Sequence, residues 1–249
     1  TSTTVSPMLT MTAPSAWRAI SPVSRTTLWS PNLNSFLIGV TVEYLEPGKR
    51  LFEWAPYELV VDSPDKGVKA KAEEAESITT PLIESIRSAE QEVVIISPYF
   101  VPLKSGIKGL AGLEERGVEV TVITNSLAAN NQFTVHGGYA PSRKPLLEAG
   151  VEIYEARPDA DVAGTEFIDA SGAKATLHTK AFIVDDKEVF IGSFNFDPRS
   201  ADLNTELGVI IHDAEMGSYL AGRVDEALPT AAWEVFLNGS DNRNKLVSR

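Results

Sequence analysis

Four polar residues stand out near the two ends of the stretch from Leu177 to Asn195. Most of this stretch is apolar and β-branched or aromatic, which is typical of paired strands in a protein core. His178, Lys180, Ser193 and Asn195 are exceptions, and buried polar groups cost free energy unless they have partners. An imidazole exchanges protons near neutral pH, and ammonium, hydroxyl and amide groups can stabilise a negatively charged oxygen. The residue types therefore indicate a site for proton transfer beside an anion.

The positions of these residues in a hairpin follow from the placement of its turn. A two-residue turn at positions 186–187 puts Lys180 opposite Ser193 and His178 opposite Asn195. Because side chains alternate along a strand and cross-strand partners share a face, the four groups should form one patch. A slip of one residue would scatter them, so this prediction depends on the turn.

Gly192 and Asp185 complete the polar pattern of the hairpin. Gly192 lies beside the predicted patch, where the missing side chain leaves room for a ligand or for a close backbone approach. Asp185 is an odd number of residues from His178 and Lys180, so its side chain should point to the opposite face, and we interpret it as a turn residue.

Composition restricts the function classes. The 249-residue chain has a net charge of -12, which argues against a nucleic-acid partner, because non-specific binding needs Lys and Arg at phosphates. The charge also argues against simple electrostatic docking to an anionic membrane, although a local basic pocket is compatible with it. The absence of cysteine excludes disulfides, thiolate catalysis and cysteine-ligated metals. No apolar run is long enough to predict a transmembrane segment.

The chain divides into three parts by composition. Residues 1–67 are rich in Ser, Thr and Pro and contain three of the four tryptophans, which predicts an irregular arm or linker, or alternatively a partner-binding arm. Residues 68–232 alternate between strand and helix patterns, with Thr80-Pro81 as the first helix N-terminus. Residues 233–249 are predicted to be a polar tail. The alternation predicts an α/β domain with a mixed, mostly parallel β-sheet and helices on both faces.

Two sets of motifs carry a resemblance to a known family. The hairpin resembles the signature of the phospholipase D superfamily in the pattern His178-x-Lys180-x4-Asp185-x6-Gly192-Ser193-x-Asn195. The flanking segments are similar to the C-terminal half of bacterial cardiolipin synthases, over roughly residues 54–228. These segments are Ser97–Pro102, Thr124–Leu127, His136–Tyr139, Leu147–Val151, Asp197–Ser200 and the Asn-x-Glu element Asn204–Glu206.

The resemblance implies a phospholipase D-like half-domain that acts on phosphodiesters without a metal or another cofactor. In this family two motifs meet, one histidine forms a phosphohistidine and the other protonates the leaving alcohol. A lipid alcohol that attacks the intermediate gives phosphatidyl transfer, and water gives hydrolysis. The chain has one such motif, because His136 and His212 lack a lysine two residues later. The expected partner is therefore a second half-domain or a second copy of the chain.

The resemblance also implies roles for single residues. His178 corresponds to the histidine that usually serves as the general acid, and Lys180, Ser193 and Asn195 would bind the phosphate oxygens. Glu206 would accept a hydrogen bond from His178 and fix its tautomer. A solvated glutamate at a strand end is the alternative for that residue.

Three further residues are candidates for substrate binding. His136 and Tyr139 follow a polar loop and suit a pocket rim, with a packing role as the alternative. Arg199 suits a substrate phosphate, although an ordinary surface arginine fits the pattern equally well. His212 ends a strand and is predicted to be a surface residue.

Three functions remain open at this point. The first is half of a phosphatidyltransferase for a phosphatidylglycerol-like phospholipid, in peripheral contact with the bacterial inner membrane. The second is a homodimeric phosphodiesterase or nuclease with one motif per chain, which the acidic charge and the flanking segments disfavour. The third is a binding module that is inert as an isolated half-domain.

Overall fold

A computed structural model describes residues 55–66, 77–130, 132–159, 176–238 and 245–248 of the chain. Most of the predicted N-terminal arm lies outside these residues. The sequence also predicts a loop that contains Gly164 and Gly172, and this loop lies outside the described residues.

A mixed sheet forms the centre of the described chain. Its strands are β1 (Tyr57–Val61), β2 (Glu92–Ile96), β3 (Glu119–Asn125), β4 (Glu152–Ala156), β5 (Ala181–Val184), β6 (Glu188–Gly192), β7 (Leu207–His212), β8 (Ala232–Asn238) and β9 (Lys245–Ser248). They are ordered β1-β7-β6-β5-β2-β3-β4-β8-β9. The central strands β2 and β5 are buried over almost their whole length, which explains their continuous apolar sequences.

Helices pack on both faces of this sheet, as the sequence predicts. They are α1 (Thr79–Arg87), α2 (Leu103–Glu114), α3 (Phe133–Glu148), α4 (Pro198–Asp202) and α5 (Ala214–Ala231). The apolar side chains of α1, α2 and α3 share one core cluster with Phe182 and Phe190 of the hairpin. On the opposite face, Leu220 and Val224 of α5 pack in a second cluster with Ile183. The α/β layering is therefore confirmed.

The prediction of a mostly parallel sheet is wrong. Among the described strands only β2-β3 and β3-β4 pair in parallel, and the other six pairings are antiparallel. A parallel pair needs a long crossover, which α2 and α3 provide between β2, β3 and β4. The tight β5–β6 turn is too short for a crossover, and the other outer strands join in the antiparallel sense.

Both ends of the described chain add strands to the sheet. β1 lies within the segment that composition assigns to the arm, yet it pairs with β7 from Tyr57↔Ile211 to Val61↔Leu207. β8 begins at Ala232, replaces the first part of the predicted polar tail and pairs with β4. The first helix begins at Thr79 after Ile78, so Thr80 is not its N-cap. The two added strands, β1 and β8, have the same cause: long-range pairing to a sheet edge overrides local composition.

The hairpin register differs by one residue from the predicted one. Val184 pairs with Glu188, and the turn contains Asp185, Asp186 and Lys187 instead of two residues. Both aspartates have positive φ, at 50° and 56°, which short polar side chains tolerate. The turn length sets the register of a hairpin, and the prediction rests on a two-residue turn where the structure has three residues.

Candidate active site

The segment that carries His178 leads into β5 at the edge where β2 and β3 end. Asn125, the last residue of β3, clamps this segment. Its Nδ2 donates to Leu177 O and its Oδ1 accepts from Leu177 N, both at 3.0 Å. Because Asn125 is buried, the clamp is sheltered from water. It fixes the backbone one residue before His178.

Lys180 lies two residues after His178 and is partly buried. Its Nζ donates to His178 O at 3.0 Å, so the ammonium is held beside the histidine backbone. Burial lowers the pKa of Lys180, and the negative charges of Glu206 and Asp197 oppose this shift. The ammonium is thus a partly desolvated cation, which suits contact with a phosphate oxygen.

The His178 side chain is exposed, whereas Asn195 and Glu206 are buried. The positive charge of Lys180, together with partial burial, lowers the pKa of the imidazole. The neutral form is therefore favoured near pH 7, and this form can attack phosphorus or accept a proton. A bound phosphodiester would place a negative charge beside the ring and raise its pKa again.

Glu206 is the centre of a buried hydrogen-bond cluster behind these two residues. Its carboxylate accepts from Ser200 Oγ at 2.8 Å, from Asn204 Nδ2 at 3.1 Å and from Ser193 Oγ through a short bond. These donors take the place of His178, which we expected to bond to Glu206. Glu206 therefore shapes the wall of the site and acts on Lys180 through its charge.

Asn195 joins the same cluster through its backbone. Its N donates to Ser200 Oγ at 3.2 Å, and its side chain is buried. The side-chain Oδ1 has no hydrogen-bond partner among the described residues. A buried polar atom without a partner is costly, so this atom is available to a ligand or to water.

The corrected register changes which residue faces Lys180. Gly192 N donates to Lys180 O at 3.1 Å, so glycine rather than Ser193 lies opposite the lysine. A Cβ on Gly192 would come within 2.6 Å of Leu207 O and of the Phe190 ring. Of the two predicted uses for this glycine, the close backbone approach is the one that is present.

Ser193 joins the cluster through hydrogen bonds to β7, and it does not lie opposite Lys180 before β5. Its N donates to Leu207 O at 2.9 Å, and its Oγ accepts from Leu207 N at 3.1 Å while donating to Glu206. The predicted patch of four polar groups is thus divided. His178 and Lys180 form the outer part, and Ser193 and Asn195 join Glu206 in the wall.

Asp185 lies in the turn at the opposite end of β5. Its carboxylate accepts from the backbone N of Glu90, Gln91 and Glu92 at 2.8–3.1 Å. Burial by itself would raise the pKa of Asp185, but these three donors lower it. This aspartate fixes the start of β2 and lies apart from the residues around His178.

Comparison with known proteins adds a family to this geometry. The family described as "Cardiolipin synthase, PLD-like domain" matches residues 82–227, which is more than half of the chain. The chain belongs to this family. The resemblance of the hairpin and its flanks is therefore confirmed at the level of the phospholipase D superfamily.

Individual relatives of this PLD-like chain are longer proteins. Cardiolipin synthase C of Escherichia coli is 39% identical over 199 residues, which are 79% of this chain and 42% of the relative. Cardiolipin synthase A of Pectobacterium carotovorum is 32% identical over 59% of this chain and 26% of the relative. The PLD-like chain thus spans less than half of these curated relatives.

Solved structures with the same fold include two chains that this one covers almost completely. The phospholipase D family member Nuc from Salmonella typhimurium aligns with a TM-score of 0.52 and 17% identity, over 72% of this chain and 97% of that one. NucT from Helicobacter pylori aligns with a TM-score of 0.52 and 20% identity, over 72% and 99%. At these identities the likeness concerns the fold.

The two candidates for a pocket rim in the PLD-like chain lie inside α3. Tyr139 is only 2% exposed, and its hydroxyl donates to Glu155 Oε1 at 3.0 Å. His136 packs edge-on against Tyr139, and burial lowers the pKa of its imidazole. These positions favour the packing interpretation, because neither ring is on an open surface.

Arg199 and His212 occupy exposed positions. Arg199 lies in α4, and its Nε donates to Asn204 Oδ1 at 3.1 Å, next to the Glu206 cluster. His212 ends β7, where its Nδ1 lies 3.2 Å from Glu188 Oε1.

Within the described residues, no helix has the length and apolar character needed to cross a membrane.

Sequence reasoning missed Asp62 and Lys66, which are buried beside Glu206. Both follow an apolar strand in a turn-like Asp-Ser-Pro-Asp-Lys segment, which by itself indicates only a loop. It also missed Ser200, although this residue falls in a segment that carries the family resemblance. Their function depends on contacts across more than 130 residues, and no local spacing signals such contacts.

Proposed function

We propose that this chain supplies one half of an active site for phosphatidyl transfer of the cardiolipin synthase type. The supporting observation is the single His178–Lys180 pair: the imidazole is exposed, and the neighbouring ammonium interacts electrostatically with the buried, hydrogen-bonded Glu206. A histidine cannot attack phosphorus and protonate the leaving group in one step. The exposed ring therefore needs a second histidine from another half-domain or another copy of the chain.

The reaction divides between the two histidines. One imidazole nitrogen bonds to phosphorus while the other imidazole gives its proton to the leaving alcohol oxygen. A second alcohol then attacks the phosphohistidine, loses its proton to the second ring and frees the first. The family resemblance gives His178 the general-acid role. Its lowered pKa would be restored by the bound phosphodiester, as general-acid chemistry near neutral pH requires.

The other residues of the site stabilise the pentacoordinate phosphorus. Lys180 brings a poorly solvated positive charge to a non-bridging oxygen, and the Asn195 side chain adds polar contacts. The negative charge of Glu206 favours the ammonium form of Lys180, and its carboxylate accepts a hydrogen bond from Ser193 Oγ. Arg199, which is exposed and donates to Asn204 Oδ1 beside the cluster, is our candidate for contact with the substrate headgroup or phosphate.

The substrate class follows from the relatives. Two of the similar proteins are named cardiolipin synthases, so we assign a phosphatidylglycerol-like phospholipid as the substrate. The chain would meet it by peripheral contact with a membrane, in bacteria the inner membrane. The part of the longer relatives that this chain does not span is the natural source of a second half-domain.

The assay compares the chain alone with the chain combined with a second half-domain that carries its own His-x-Lys pair. Phosphatidylglycerol in detergent micelles is the substrate, and transfer products are separated by thin-layer chromatography. We expect transfer only from the combination. His178→Asn should lower kcat by about 10²–10⁴-fold. The matched control is His212→Asn, another exposed histidine, which should leave kcat unchanged.

Two outcomes contradict this proposal. Full transfer activity of His178→Asn in the combination would show that the site is misassigned. Hydrolysis of bis(p-nitrophenyl) phosphate by the chain alone, as a dimer in analytical ultracentrifugation, would favour the homodimeric phosphodiesterase instead.

A further inference from the structure

An ion pair buried behind the site connects the edge of the sheet to the Glu206 cluster. Lys66 Nζ lies 2.6 Å from Asp62 Oδ2, and the two side chains are 6% and 0% exposed. Both residues lie outside the segment that matches the family, which begins at residue 82. Burying two charges is costly, so such a pair is more convincing as a device for fixing geometry than as a source of stability.

Asp62 holds the backbone of Glu206 on both sides. Its Oδ2 accepts from Glu206 N at 2.9 Å, and its own N donates to Glu206 O at 2.9 Å. Its Oδ1 accepts from Ile78 N at 3.0 Å, at the start of α1. The carboxylate is therefore fully engaged, and the peptide groups around Glu206 cannot move without breaking these bonds.

Lys66 holds the other half of the cluster. Besides its contact with Asp62, its Nζ donates to Ser200 O at 2.8 Å. Ser200 Oγ donates to Glu206 Oε1 and accepts from Asn195 N. The ion pair thus hydrogen-bonds to the backbones of Glu206 and Ser200, whose side chains are hydrogen-bonded to each other.

The path from the ion pair to the reacting groups is short. Glu206 holds Ser193 and acts on the charge of Lys180, and Ser200 holds the backbone of Asn195. A small displacement of this wall would move the amide and change the field at the ammonium. Misplacement by about 1 Å is enough to cost about 10²-fold in rate.

We propose that Asp62 and Lys66 are positioning residues of the transfer site, which hold Glu206 and Ser200 where Lys180 and Asn195 need them. The inference rests on the proposed function and deepens it. It assigns a part in the reaction to a segment that adds strand β1 to the sheet and lies outside the matched domain. Neither residue touches the substrate; both act through the Glu206 cluster.

The test uses the chain combined with its second half-domain and phosphatidylglycerol micelles. Lys66→Met removes the cation at similar length, and Asp62→Asn keeps the volume of the side chain but removes its charge. We expect both to lower kcat per folded molecule by about 10–100-fold, with KM changed by less than about threefold. Lys66→Arg should recover much of the loss. The folded fraction is measured by urea unfolding under the assay conditions.

Lys144→Met is the matched control, because Lys144 forms an exposed i,i+4 pair with Glu148 at 3.6 Å. It should leave kcat within about twofold, since such surface pairs contribute little. The pH profile gives a second readout. A merely structural loss lowers kcat by the same factor at every pH. A displaced Glu206 instead moves the basic limb of the kcat profile to lower pH, because its negative charge no longer raises the pKa of Lys180.

Unchanged kcat per folded molecule in Asp62→Asn, with the basic limb in place, overturns the inference even if Lys66→Met fails to fold. His178→Asn is assayed in parallel. If that variant remains active, the proposed function itself fails. If it is inactive while the Asp62 and Lys66 variants keep wild-type kcat, only the positioning role fails.

Discussion

Replacing Asp185 should destabilise the fold and leave the chemistry intact, although this residue belongs to the same motif as His178. Its carboxylate accepts from three backbone N–H groups at the start of β2. Because these bonds are partly exposed, each contributes about 0.5–1 kcal/mol, below the value for sheltered bonds to a charge. Their sum is about 1.5–3 kcal/mol. The positive φ of 50° adds about 1 kcal/mol against any residue that does not tolerate that conformation.

We therefore expect Asp185→Ala to lower the free energy of unfolding by about 2.5–4 kcal/mol. Asp185→Asn keeps the conformation and one acceptor, and should cost about 1–2 kcal/mol. Urea unfolding followed by circular dichroism at pH 7 gives these values, with equal m-values expected for all proteins. Asp225→Asn, an exposed acidic residue on α5, is the control and should change stability by less than about 0.5 kcal/mol.

The contribution of Asp185 should also depend on pH in a defined direction. Its pKa is lower in the folded state than the ordinary value of 3.8. The charged form is thus favoured by folding, so the stabilisation is fully present above the ordinary pKa and is lost as pH falls through the folded-state pKa. The gap between the wild type and Asp185→Asn should be constant from about pH 7 to pH 5 and narrow below about pH 4.

Two results would refute this reasoning. One is an Asp185→Asn protein that unfolds at the same urea concentration as the wild type. The other is an Asp185→Asn protein of normal stability whose kcat on phosphatidylglycerol, combined with the second half-domain, falls by more than about tenfold, the scale of a catalytic acid–base loss.

Two further predictions concern the wall of the site. Glu206→Gln should shift the basic limb of the kcat profile to lower pH, because burial already lowers the pKa of Lys180 and the opposing negative charge is removed; an unmoved limb in pH-rate measurements would show that Glu206 does not act on this lysine. Gly192→Ala should lower the free energy of unfolding by about 2–3 kcal/mol in urea denaturation, because its Cβ would meet the β7 backbone at 2.6 Å. Gly222→Ala in α5, where a Cβ meets nothing within 4 Å, should instead stabilise the chain by up to about 1 kcal/mol, and equal effects of the two substitutions would contradict the close approach.

The sequence by itself determined the family and the layered α/β architecture. The spacing of His178, Lys180, Asp185 and Asn195 is a local property of one hairpin, and the family resemblance that this spacing carries is confirmed by the match to the PLD-like family. The placement of helices on both faces follows from apolar periodicity, which also depends on neighbouring residues. The features that depend only on residues close together in the chain could therefore be predicted from the sequence.

Only the tertiary structure decided the register of that hairpin and the partners of Glu206. Two aspartates with positive φ lengthen the turn by one residue, and this shift puts Gly192 opposite Lys180. Strand spacing cannot reveal such a shift, because a slip of one residue leaves the apolar pattern of a strand buried on both faces unchanged.

The buried cluster behind the site was equally out of reach. Asp62 and Lys66 reach Glu206 and Ser200 across more than 130 residues, through the pairing of β1 with β7. Their own segment has the composition of a surface loop. The proposed catalytic pair, His178 and Lys180, can thus be predicted from local spacing. The Glu206 cluster instead depends on long-range strand pairing, which brings distant backbone and charged groups together and removes them from water.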